Sequence, residues 1–283
     1  METKLIVTYV VCDDVIKNLG IKDDFQARMT TAEVMTTAII AAAEYFGNFE
    51  RARVALKNNG AIPDMLSKSQ LNRRLHNVKK ELWEAVLEAL AIEFAKCNVE
   101  DEFIVDSFPI YACKLARQNQ TKLFNAKEFL GYCAAKKEFF IGFKLHLIAD
   151  VNANPVKMLF RPARESDIGS FRLFELDLPE NSVILGDKAY NDYRYEDRLI
   201  QEKQIHLTPI RKVNSKRKGS VFLENIRKKK RRMIETLFSG IERLMPRSIH
   251  AVTIAGLILK ATLFVLAYAF GKYAVPPTEA SGS

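Results

Sequence analysis

Residues 102–110 read EFIVDSFPI, and residues 182–190 read SVILGDKAY. Each is a short apolar run that meets an acid, Asp106 in the first and Asp187 in the second. Runs of this length, rich in β-branched and aromatic residues, predict buried strands, and Pro109 breaks the first of them. Ligand-binding and catalytic groups in α/β sheets gather at strand ends. If these two strands are neighbours, their carboxylates converge. Such a pair of hard oxygen ligands suits Mg2+ or Mn2+ rather than zinc.

Between and around these runs the pattern is that of a mixed sheet. EFFIGFKLHLIAD (138–150) predicts a long strand, and VKMLFRPA (156–163) returns against it across the turn signal VNANP. DIGSFRLFELDL and NDYRYEDRLIQEK predict helices, and IHLTPI a fifth strand. A basic stretch follows, then a helix containing RRMIETLFSGIERL and a final apolar helix. This order predicts an α/β catalytic domain over 101–273.

Residues 1–100 differ in kind. They predict helices almost throughout, with Thr30 and Thr31 able to cap AEVMTTAIIAAAEYF. Gly60 and Pro63 punctuate a turn. A basic helix with Lys68, Arg73, Arg74, His76, Lys79 and Lys80 follows. That pattern suits helix-turn-helix DNA binding, and equally a solvated face of a helical bundle. Trp83 reads as a core anchor of the next helical run.

Charge narrows the partner. The 283 residues carry a net +9, yet 211–232 alone hold eleven basic residues and one acid, so the rest of the chain sums to −1. A polyanion is the expected partner of that stretch. The hydrophobic share of 48% excludes a disordered or disulfide-stapled chain. Cys12, Cys97, Cys113 and Cys133 are far apart and make no metal or disulfide pattern, so free thiols in a reducing cytoplasm are expected. The N-terminus has no signal-peptide pattern. Residues 249–271 approach transmembrane length, but Lys260 sits at their centre, which favours a buried helix over a membrane span. The final residues 274–283 read as a disordered tail.

Glu235 is a third candidate ligand, an acid among Met233, Ile234, Leu237 and Phe238 directly after RKKKRR. Its bland reading is a surface acid paired with Arg231 or Arg232. Taken together, IVDSFPI (104–110), GFKLHLI (142–148), LGDKAY (185–190) and RRMIETLFSGI (231–241) resemble a bacterial DDE-type insertion-sequence transposase, most of all the insertion sequence 982 branch. The resemblance covers roughly 100–270. It implies an RNase H-like fold, a triad of Asp106, Asp187 and Glu235, and Mg2+ or Mn2+ as cofactor. It also implies terminal inverted repeats and target DNA as partners, a dimer or larger assembly on DNA, and a place in the bacterial cytoplasm at the nucleoid. Ala189 stands where relatives often carry Gly. Lys228 replaces a Tyr of the wider signature and Glu242 its Lys, a cation that Arg243 could supply. Glu242 is also a rival third ligand, one that the wording around Glu235 disfavours.

The DNA-contacting residues expected are Lys144, His146, Lys188, Arg211, Lys212, Lys216, Arg217, Lys218, Lys228, Arg231 and Arg243. Lys144 and His146 lie two apart on a strand and share a face. They contact phosphate if that face borders the site and otherwise form a polar surface pair. Lys188 touches phosphate or points to solvent. The segment 211–219 is a basic loop, expected to hold phosphates because it precedes the Glu235 helix. Three functions remain open: a cut-and-paste transposase, an RNase H-like nuclease without strand transfer, and a catalytically silent DNA-binding relative.

Overall fold

The computed structural model describes residues 2–114, 127–133, 136–211, 215–217 and 220–274. The chain divides into two compact units, one of residues 1–92 with 240–283 and one of residues 93–239.

The second unit is built on a six-stranded sheet. Its central strand is β1 (Glu102–Lys114). β3 (Glu138–Asp150) runs antiparallel on one side of β1, and β5 (Val183–Gly186) runs parallel on the other. β6 (His206–Pro209) extends the sheet parallel to β5. The outer edge of β3 is shared by β2 (Leu130–Cys133) and β4 (Pro155–Pro162), both antiparallel to it. An antiparallel meander with two later strands added parallel to its first strand is the RNase H-like arrangement. The expected α/β class is therefore the observed one.

Two details fix the sheet. β1 bulges between Tyr111 and Cys113, opposite Gly142. Gly142 has φ +159°, and a Cβ there would meet the Ile110 carbonyl oxygen at 2.0 Å, so only glycine lets the bulge close. β2, a four-residue strand containing Gly131, has no counterpart in the sequence reading because so short a run carries no periodicity.

Alternation along β1 divides its side chains between two layers. Phe103 and Val105 join Ile148, Ile184 and Leu207 in a buried cluster. It is covered by Phe171 of α6 (Asp167–Phe171), by Tyr195 and Leu199 of α7 (Tyr193–Lys203), and by Tyr190. α6 is only five residues long, shorter than the run expected. Asp106 and Phe108 point the other way, toward α8 (Val221–Leu244), which buries Ile234 and Leu237 and stacks Phe238 on Phe108 at 5.3 Å. Each large apolar side chain buried in this way contributes about 1.5–3 kcal/mol.

The first unit is helical. α2 (Thr31–Glu44) lies at its centre, against α1 (Glu2–Asn18), α3 (Phe49–Asn58), α4 (Lys68–Asn77) and α9 (Ile254–Tyr273). Thr30 and Glu33 close a capping box at the start of α2, and Ser67 with Gln70 does the same for α4. Trp83 is buried on α5 (Lys80–Ala95). α9 is long and apolar enough to cross a membrane by length and composition, but most of it is buried in the unit. Lys260, in its second turn, donates to the His250 carbonyl and lies 5.8 Å from the Phe49 ring centroid.

This grouping differs from the domain division read from sequence, which ran the catalytic domain to residue 273. Contacts separate 240–274 from the sheet because α9 is apolar on nearly every side, and the Ala- and Ile-rich α2 supplies the surface that covers it. The expected tail, 274–283, lies outside the described residues but for Ala274.

Candidate active site

Asp106 is on β1, facing α8. The parallel pairing of β1 with β5 ends at Ile104 beside Leu185. Two residues further along come Asp106, inside β1, and Asp187, just past the end of β5, which brings the two aspartates near each other. β1 does not end at Asp106 or break at Pro109, as the sequence suggested, but continues to Lys114 because its pairing with β3 persists on the other side. Asp187 then caps the 3-10 turn Lys188–Tyr190, its Oδ1 accepting from the Ala189 amide at 2.7 Å. The turn is tight because Gly186 lies against Tyr190, where a Cβ would meet the tyrosine Cβ at 3.0 Å.

Asp106 Oδ1 accepts from the Ser107 amide at 2.8 Å, and Oδ2 accepts from Arg231 Nη2 of α8 at 2.8 Å. Burial raises the Asp106 carboxyl above its ordinary pKa. Arg231 and the Ser107 amide oppose that shift, and the nearby Asp187 charge adds to it. Lys230, next to Arg231, pairs with Glu100 at 2.9 Å and also with Glu102, so α8 is tied to the start of β1 as well.

Glu235 follows Arg231 by one helical turn, rotated from it by about 40° around the helix. It is exposed. Among the described residues no three Asp, Glu, His or Cys side chains converge as a metal-binding group. The structure therefore brings Asp106 and Asp187 together and leaves Glu235 on the adjoining helix face. The donors present are hard carboxylate oxygens, and one of them already holds a cation, the Arg231 guanidinium. Their chemistry suits a divalent ion of the Mg2+ type.

The cations fall into groups that the sequence does not separate. Lys144 and His146 are on the sheet face opposite Asp106, because they pair with Pro109 and Ser107 while Asp106 pairs with Leu147. Their expected DNA contact depended on that face bordering the aspartates, and it does not; nor are they a solvent-facing pair, since His146 is buried. Lys144 Nζ donates to Asp167 Oδ1 and to the Glu165 carbonyl, each at 3.0 Å. His146 is fully buried, both ring nitrogens lack hydrogen-bond partners, and burial drives its pKa down to about 4.

Arg211 is likewise not a free DNA contact. Its two Nη atoms reach the Glu196 carboxylate at 2.7 Å each, and Nη1 also reaches Asn191 at 2.9 Å. Glu196 is only 3% exposed, so the pair is structural. Arg217 grips Asp197 at 2.7 and 2.8 Å and lies over the Tyr193 ring. Lys188, Lys216 and Lys228 are exposed. Arg243 and Glu242 are exposed on the last turn of α8, within the helical unit. Lys212 and Lys218 lie outside the described residues.

Three further residues near the aspartates are given no role from the sequence. Ser107 donates its hydroxyl to Asp167 at 3.0 Å. Asp167 thereby joins Ser107 to Lys144. Tyr190 is buried with an unpartnered hydroxyl, its pKa raised well above the usual value by burial and by the charges of Asp106, Asp167 and Asp187. The LGDKAY wording marks Tyr190 as part of the motif, but nothing in sequence marks Asp167.

The model of the transposase DDE domain matches residues 96–250, more than half of the chain. The chain belongs to the DDE transposase family. Its DDE domain spans the whole β-sheet and the Glu235 helix. A search of curated proteins found no match. Among solved structures, the chain is similar to the piggyBac transposase in its synaptic complex with hairpin DNA, seen by cryo-EM. The identity is 11% and the TM-score 0.49, over 96% of this chain and 74% of that one.

Proposed function

We propose that the chain is a bacterial insertion-sequence transposase of the insertion sequence 982 branch, which cleaves element ends and joins the freed 3′-hydroxyl to target DNA. The observation that carries this reading is the proximity of Asp106, on the central strand, to Asp187, just past the end of the neighbouring parallel strand, inside a DDE transposase domain and beside the helix that bears Glu235. Asp106, Asp187 and Glu235 would hold the divalent ions. Bound Mg2+ or Mn2+, as a pair, supplies charge stabilisation to both the entering and leaving oxygens of an in-line phosphoryl displacement.

The chain's own residues supply the rest. The Ser107 amide orients Asp106. Lys228 and Lys188, both exposed, offer charge to phosphates around the carboxylates, which would otherwise repel DNA. Lys216 extends the same field from the loop before α8. In the helical unit, α4 exposes Asn72, Arg73 and His76, residue types that read base edges in a major groove. We assign it to recognition of the terminal repeats. The link from α3 to α4, residues 59–67, is longer than that of a compact helix-turn-helix. The working form on two element ends is a dimer or larger assembly, in the cytoplasm at the nucleoid.

The test uses a duplex carrying the inverted repeats that flank the coding region, incubated with the full chain in Mg2+ and in Mn2+. Cleavage followed by joining of the 3′ end to a second duplex supports the transposase. Cleavage without joining identifies a nuclease, and binding without cleavage a silent relative.

A further inference from the structure

Both oxygens of Asp106 are engaged, one by the Ser107 amide and the other by Arg231 Nη2. The second contact matters more, because a guanidinium there occupies the oxygen that a divalent ion would use. Two cations on one carboxylate oxygen repel each other, so metal and Arg231 compete for Asp106.

The ion pair is also incomplete. Arg231 uses a single N–H on Asp106, and its Nε–H is buried without an acceptor. A guanidinium makes its strongest contacts through a two-pronged edge, which suits a phosphate as well as a carboxylate. A buried donor left without an acceptor carries its desolvation cost uncompensated. A phosphate that accepted from Nε–H and Nη2–H together would relieve that cost. Arg227 and Lys228, one turn earlier on α8, and Arg232 beside it add positive charge where such a phosphate would approach.

We propose that Arg231 is a switch shared between Asp106 and a DNA phosphate: without DNA it closes the carboxylate to divalent ions, and on moving to a phosphate it opens it. The inference rests on the reading of Asp106 and Asp187 as metal-holding residues. Its consequence is that metal loading, and with it cleavage, is conditional on a seated DNA strand. Glu235 lies one turn beyond Arg231, so one helix carries both the closing cation and the third carboxylate.

The test is Mn2+ binding to the full chain in the absence of DNA, read from the electron paramagnetic resonance signal of free Mn2+. Arg231→Gln is expected to bind Mn2+ about tenfold or more tightly than wild type. Arg231→Lys, which keeps a cation, is expected to stay close to wild type. Asp106→Asn is expected to abolish binding in either background. If Arg231→Gln binds no tighter while Asp106→Asn still abolishes binding, the switch is overturned and the metal assignment stands. If Asp106→Asn leaves the binding of the Arg231→Gln variant unchanged, the metal assignment fails and the switch with it. Should Arg231→Gln not fold, the arginine Nε–H signals of the wild type in a nitrogen-15 spectrum decide the matter. Saturating Mg2+ is expected to shift one signal that Arg231→Lys lacks, and no shift would overturn the switch.

Discussion

Phe238 stacks on Phe108, with ring centroids 5.3 Å apart and ring planes 28° apart. Phe108 is two residues beyond Asp106 on β1, and Phe238 is three beyond Glu235 on α8. The ring pair therefore holds the glutamate helix over the strand that carries the first aspartate. Both rings are half-buried.

Removing that contact tests the role. Phe238→Ala is expected to cost about 2–3 kcal/mol in denaturant unfolding and to slow DNA cleavage beyond what lost stability explains. Phe238→Leu keeps apolar contact and loses only the ring pair, a loss of about 1 kcal/mol. Cleavage by Phe238→Ala at the wild-type rate under folded conditions would show that helix placement does not limit the chemistry.

Arg211, which is paired with the buried Glu196, and Lys216, which is exposed, give a test of which cations are structural and which meet DNA. Arg211→Ala leaves the Glu196 carboxylate buried and unpaired, and should destabilise the chain by about 3–5 kcal/mol. In the folded fraction it should not change the salt dependence of DNA binding. Lys216→Ala should leave stability unchanged and lower the slope of log affinity against log salt by about 0.9, the loss of one phosphate contact. The measurement is DNA affinity at several salt concentrations beside chemical unfolding. A reduced slope for Arg211→Ala would reverse the assignment.

The buried His146 gives a pH dependence of stability. Its folded pKa of about 4 lies below the ordinary value of 6.5, so the unfolded chain binds the proton more readily. The associated stability is fully present above pH 6.5 and is lost as pH falls toward 4, by roughly 2–3 kcal/mol. Asp167 and Glu165 oppose the downward shift, while Lys144 and Arg161 reinforce it. Unfolding followed at pH 7.5 and at pH 5 should show the decline, and His146→Leu should flatten it. An unchanged slope in that variant would assign the decline to other groups.

These residues also mark where sequence was readable. Asp106 and Asp187 stand out because each follows an apolar run, and those runs mark five of the six strands along the chain, though not which of them are neighbours in the sheet. The face of Lys144 and His146 was not readable, since a shift of one residue in strand register reverses it. Arg211 looked like its basic neighbours because its partner, Glu196, is distant in sequence and buried only in the fold. Asp167 was invisible for the same reason, its partners Ser107 and Lys144 coming from two strands distant in sequence. α9 was readable as a buried helix, but its composition does not say which unit covers it.

The central claim is that Asp106, Asp187 and Glu235 perform the DNA chemistry. The most direct measurement is single-turnover cleavage, in Mg2+, of a duplex carrying the flanking inverted repeats, by Asp106→Asn, Asp187→Asn and Glu235→Gln, with DNA affinity measured in parallel. Each variant is predicted to bind the duplex and to cleave it at least about a thousandfold more slowly than wild type. Cleavage near the wild-type rate by any one of the three would contradict its place in the triad.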